Sequence, residues 1–140
     1  LQLLADAPLS VGAPIVIEKL IDPDGAIRGT AFASLQTAAL PLDDTFGYDP
    51  GEPHDELVAG MQRWRQWWAA HRRDALHREV PKMLADLDSP NPLKRLAADW
   101  SLRLVSGREV GFQAEAPLER RREAGGRWKT WWGEASLKTN

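Results

Sequence analysis

The residues best equipped for chemistry in this 140-residue chain are His71, Asp74 and His77. Spaced by three and three, neighbours can approach on a helix, but the outer histidines fall about 120° out of line at 3.6 residues per turn. Zinc enzymes favour two His at i and i+4, so no metal is predicted and this stretch is expected to be a polar linker. His54, beside Pro53, has no identifiable partner. The acidic group Asp43, Asp44, Asp49 and Glu52 lacks the alternate ligand spacing around glycine that a calcium loop needs. It is expected to solvate and cap, with Asp49-Pro50 opening a turn. No glycine-rich phosphate loop or Gly-x-Ser-x-Gly elbow occurs, and Ser10, Ser34, Ser89, Ser101, Ser106 and Ser136 have no His in recognisable relation to them. The expectation is a protein with no catalytic residues, no cofactor and no metal.

Two basic groups lie among tryptophans: Arg63, Arg65, Arg72 and Arg73, then Arg120, Arg121, Arg122, Arg127 and Lys129. Basic plus aromatic side chains can bind nucleic acid, but the formal charge is -2, so no long-range field draws the chain onto a polyanion or an anionic membrane. Without cysteine there is no disulfide, thiolate nucleophile or Cys-based zinc site, and redox chemistry says nothing of compartment. No apolar run approaches the roughly 18 to 20 residues that span a bilayer, and the start lacks the features of a signal peptide. A soluble chain is expected, with cytoplasm and periplasm both open. A start at Leu1 fits either a processed mature protein or a segment of a longer one.

The elements that carry these residues recur. Shifting the sequence by 64 positions places Gly47 on Gly111, Pro53 on Pro117, Arg63 on Arg127, and Trp64, Trp67 and Trp68 on Trp128, Trp131 and Trp132. Those six identities are ungapped, and half of them fall on one rare residue type. Upstream, with about three extra residues placed within Ala38 to Asp44, Arg28, Ala31 and Leu35 fall on Arg95, Ala98 and Leu102. Each copy opens with an apolar-periodic segment (Ala13 to Ile21, Val80 to Leu87) and a turn, Asp22-Pro23-Asp24-Gly25 or Asp88-Ser89-Pro90-Asn91-Pro92. A second helix follows, roughly Ile27 to Ala39 or Pro92 to Val105. Proline stops one helix and Asp, Ser or Asn caps the next, so each pair forms an antiparallel hairpin. A Gly-aromatic loop and a third helix with Trp-x-x-Trp-Trp complete the copy.

The short helix, the Asp-Pro-Asp or Asp-Ser-Pro-Asn turn, and the Arg-x-x-Ala-x-x-x-Leu helix together resemble HEAT repeats, in particular those of bacterial proteins. Arg28 to Ala31 and Arg95 to Ala98 carry the resemblance, with Asp22, Asp24, Asp88 and Asn91 in the turns. It covers roughly Ala13 to Ala39 and Val80 to Ser106; the Gly-aromatic loop and Trp helix lie outside the general pattern. The resemblance implies an all-α fold, a HEAT-like α/α superhelix of two three-helix repeats, about 12–73 and 76–137, forming one domain of six or so helices. Arg28 and Arg95 should occupy corresponding interhelical positions. The implied role is protein-protein scaffolding without catalysis, as part of a larger protein or assembly. The alternatives are a nucleic-acid-binding HEAT-like domain, as in some DNA-repair glycosylases, and a small hydrolytic enzyme.

Leu57, Met61, Trp64 and Trp68 form one helical stripe with Trp67 at its edge, so these tryptophans, with Trp128, Trp131 and Trp132, are expected in the core. In the second copy Arg121 and Gly125 replace Leu57 and Met61, and Glu119-Arg120-Arg121-Arg122-Glu123 reads as the polar cap that a last repeat requires. Arg120, Arg121 and Arg122 double as a candidate surface for an acidic partner. At the other end Leu1, Leu3 and Leu4, followed by Leu9, Val11 and Ile15, form an apolar start expected to pack on a partner or an adjoining repeat.

Overall fold

The computed structural model describes residues 8–38 and 46–138. Among them are five α-helices and no strand: α1 (Leu9–Glu18), extended by a 3-10 turn at Lys19–Ile21, α2 (Gly25–Ala38), α3 (His54–Asp86), α4 (Pro92–Ser106) and α5 (Leu118–Lys138). None is long and apolar enough to cross a membrane. The chain divides into two compact units, one ending at Arg72 and the other beginning at Arg73.

The third helix of the first copy and the opening helix of the second, expected as separate elements with a polar linker between them, are the single helix α3. The stretch Ala69 to Val80 contains strong helix formers and no glycine, so nothing there stops propagation. Pro81 lies inside α3 and Pro14 inside α1, 67 residues apart, both exposed, each removing one backbone donor without ending its helix.

Within the first unit Ala13, Val16, Ile17 and Leu20 bury against α2 through Ala31 and Leu35, and Leu57, Met61, Trp64, Trp67 and Trp68 of α3 are buried. In the second unit the buried apolar residues are Ala75, Leu76, Val80 and Met83 of α3, Leu87 in the turn after it, Ala98 and Leu102 of α4, Phe112 in the loop, and Ala124 and Trp128 of α5. Trp131 and Trp132 are only half-buried.

Positions 64 or 67 apart make the same local bonds. Asp24 Oδ1 accepts from the Ala26 N–H and Asn91 Oδ1 from the Leu93 N–H, both at 2.9 Å, capping α2 and α4. Arg28 donates through Nε to the Pro50 carbonyl (3.0 Å) and through Nη1 to the Asp22 carbonyl (2.7 Å). Arg95 does the same with Ala114 (2.8 Å) and Ser89 (2.7 Å). One guanidinium fork therefore ties each inter-helix turn to the loop that follows the hairpin, a role that needs planar, divergent donors. That loop turns at Gly47 (φ 70°) or Gly111 (φ 77°), and it is held by Arg63 donating to the Phe46 and Gly47 carbonyls, or by Arg127 donating to Val110 at 2.9 Å.

Candidate functional site

The histidines do not converge. His71 Nδ1 donates to the Trp67 carbonyl at 2.7 Å while its ring stacks on Trp67, centroids 4.9 Å apart. His77 meets the edge of Trp132 at 5.1 Å. Among the described residues no group of three or more His, Cys, Asp or Glu could hold a metal ion. Asp43 and Asp44 lie outside the described residues, and Asp49 spends its carboxylate on the Gly51 N–H.

Of the expected partner-binding residues, Leu1, Leu3 and Leu4 lie outside the described residues, as do most positions of the extra residues placed in Ala38 to Asp44. Arg120 and Arg122 are exposed on the first turns of α5, whereas Arg121 is half-buried and donates through Nε to the Ala116 carbonyl at 2.9 Å. That bond fastens the loop to the start of its own helix. Where Met61 is buried in the first unit, the matching Gly125 supplies no side chain, and a hollow of about 500 Å³ opens there, lined by Leu87, Asp88, Leu118, Arg122 and Lys129.

Four large apolar side chains of α4 are exposed together. Leu93, Leu96, Trp100 and Leu104 are 73%, 44%, 53% and 54% exposed, at spacings of three, four and four. At 100° per residue they share one face, diametrically opposite Arg95, Ala98 and Leu102, which bury the other. Beside Pro92, Leu93 and Leu96 lies a hollow of about 440 Å³, completed by Gln113, Ala114, Glu115 and Ala116.

No protein-family model, curated protein or solved structure matches this chain. The molecule therefore supplies its own control. On α2 the positions 67 residues earlier are Ala26, Ala33 and Thr37, which are exposed, and Gly29, which is half-buried, in a helix with a matching side-chain cap and the same Arg clamp. Small and weakly polar side chains suffice for that face of the helix, so its bulky apolar character on α4 is not required by the hairpin.

The helix beneath that face is held firmly. Asp99, 1% exposed, accepts from Trp128 Nε1 at 2.9 Å and pairs with Arg103 Nη2 at 2.6 Å. The Arg103 guanidinium carbon lies 5.5 Å from the Trp100 ring centroid, in cation-π range, which fixes the central side chain of the stripe. Sequence reasoning missed the α4 face because it looked for exposed apolar residues at the chain ends. The signal was present in the substitution of Ala, Gly, Ala and Thr by Leu, Leu, Trp and Leu between the copies.

Proposed function

We propose that this chain is a non-catalytic protein-docking module built from two HEAT-like three-helix repeats, with the outer face of α4 as its docking surface. Five helices supply the two repeats because α3 serves as the third helix of one and the first of the next. The reading rests on one observation: four large apolar side chains stand in a single exposed stripe where the related helix carries Ala, Gly, Ala and Thr. Exposed contiguous apolar surface of this kind marks interaction sites, Trp is enriched among binding anchors, and the apolar anchors of a docking helix recur at three- and four-residue spacing. Arg120, Arg122 and the apolar start form secondary candidates.

The test is a four-site exchange that gives α4 the residues of α2, with alanine in place of the glycine: Leu93→Ala, Leu96→Ala, Trp100→Ala and Leu104→Thr. Because all four are at the surface, stability should change by less than about 1 kcal/mol. A protein retained by the immobilised chain from a lysate of its source cells should be lost with the exchange. Retention unchanged by the exchange would remove α4 as the docking surface.

A further inference from the structure

We infer that the α4 face pairs with the α4 face of a second copy of this chain, in antiparallel register about a two-fold axis between Ala98 and Asp99. This rests on the reading of α4 as a docking surface and names its occupant.

The stripe is close to palindromic. Turned end for end about that midpoint, Leu93 of one copy meets Leu104 of the other, and Trp100 meets Ala97 beside Leu96. The two ends also differ in relief: the hollow lined by Pro92, Leu93 and Leu96 lies at the start of α4, whereas Leu104 projects at its end, 54% exposed. A two-fold brings each projecting Leu104 to the mouth of the other copy's hollow, so the interface is isologous and closes at two.

Charge does not oppose the pairing. Arg103 is already paired with Asp99, which leaves Lys94 as the uncompensated charge on α4 beside the stripe. In this register the two Lys94 positions are nine residues apart along the axis, roughly 14 Å, longer than the Debye length of about 8 Å at physiological ionic strength. Glu115, on the hollow's wall, adds an opposite charge near that same end. The stripe exposes on the order of 400 Å², about half of the roughly 800 Å² that each partner buries in a standard interface. So small an area makes the pair a weak, reversible dimer rather than an obligate one.

Sedimentation equilibrium of the full chain from about 1 to 500 μM tests this. A monomer–dimer equilibrium should appear, weakened at least tenfold by Trp100→Ala with Leu104→Thr and unchanged by Leu137→Ser, an exposed leucine outside the stripe. Circular dichroism checks that the variants keep their helices. Register is read by engineered thiols, since the chain has no cysteine of its own: Leu93→Cys copies oxidised with Leu104→Cys copies should cross-link, and Leu104→Cys alone should not. A monomer at every concentration, a dimer insensitive to Trp100→Ala with Leu104→Thr, or ready cross-linking of Leu104→Cys to itself would overturn the proposal. If the chain stays monomeric while the four-site exchange still abolishes capture of another protein, self-pairing falls and the docking reading stands. If neither association nor capture responds, both fall.

Discussion

Trp64 and Trp128 occupy matching positions and are both fully buried, yet their surroundings close in different ways. Trp64 sits among aromatic rings, with Phe46 at 4.8 Å and Phe32 at 6.5 Å, both edge-on, and its Nε1–H has no hydrogen-bond partner among the described residues. Trp128 instead donates to Asp99, which stands 67 residues after Phe32, and Asp99 leans on Arg103, which stands 67 after Gln36. Among the described residues the first unit leaves this donor unmet, as it does the Nε1–H of Trp67, at a cost of about 1 to 3 kcal/mol each, in exchange for an apolar seal. The second satisfies that donor with a carboxylate, and the carboxylate then requires a cation. The same helix pair thus tolerates an aromatic or an ionic closure, and the ionic one brings an arginine up beside Trp100 on the outer face of α4.

The sharpest way to break this contrast is Asp99→Ala. It leaves the Trp128 Nε1–H and the Arg103 guanidinium without their acceptor and opens a small void. A loss of about 2 to 3 kcal/mol is expected, below the value for a fully buried pair because Arg103 is partly exposed. Replacing the pair by its first-unit counterpart, Asp99→Phe with Arg103→Gln, should recover more than half of that loss in the urea midpoint. A double variant no more stable than Asp99→Ala would show that the two closures are not interchangeable.

A smaller difference is expected at the loop glycines. Gly47 and Gly111 share a left-handed backbone, so alanine costs each about 1 kcal/mol. A Cβ at Gly111 would find its nearest neighbour, Arg127 Nη2, at 3.9 Å, whereas at Gly47 it would lie 3.0 Å from Arg63 Nη2. The Arg63 guanidinium is engaged with the loop carbonyls and cannot simply swing away. Gly47→Ala should therefore cost about twice as much as Gly111→Ala by thermal unfolding; equal losses would mean that Arg63 yields freely.

Helical character was legible because apolar residues recur at three and four and because Pro23, Asp24, Asn91 and Pro92 punctuate the chain. Arg28 and Arg95 were marked by their recurrence, although spacing alone could not say that their donors reach the turn and the loop carbonyls together. The continuity of α3 was hidden because the repeat set a boundary between the copies and the polar residues around His71 to His77 read as a linker there; those residues are helix formers, and Pro81 is accommodated on the exposed side of a helix already propagating through it. The half-burial of Trp131 and Trp132 was hidden because a repeated motif invites equal treatment, whereas Arg121 and Gly125 deprive the second unit of the apolar neighbours that Leu57 and Met61 supply to the first. The α4 face was hidden for a related reason. Apolar residues lie on two opposite faces of α4, and the spacing alone does not say which face is buried; the structure buries the one with Ala98 and Leu102 and exposes the one with Trp100.

The smallest of the expected differences concerns one oxygen atom. Tyr48 and Phe112 are matched and both buried, but only Tyr48 carries a hydroxyl, which donates to the Leu20 carbonyl at 2.6 Å. Tyr48→Phe removes that bond and leaves the carbonyl unpaired, for a loss of about 1 kcal/mol at neutral pH. Burial pushes the hydroxyl above its ordinary value of 10.0, against a smaller lowering by Arg28 and with a further rise from Asp49. The folded state therefore holds this proton more tightly than the unfolded chain. Its contribution is intact below the unfolded value and is lost as pH rises through the folded one. The stability gap between the natural chain and Tyr48→Phe should be constant from neutral pH to about 9 and then narrow in alkali. A gap that stays constant to pH 11 would mean that the hydroxyl titrates alike in both states, and that the first unit gains nothing from the oxygen its counterpart lacks beyond the bond itself.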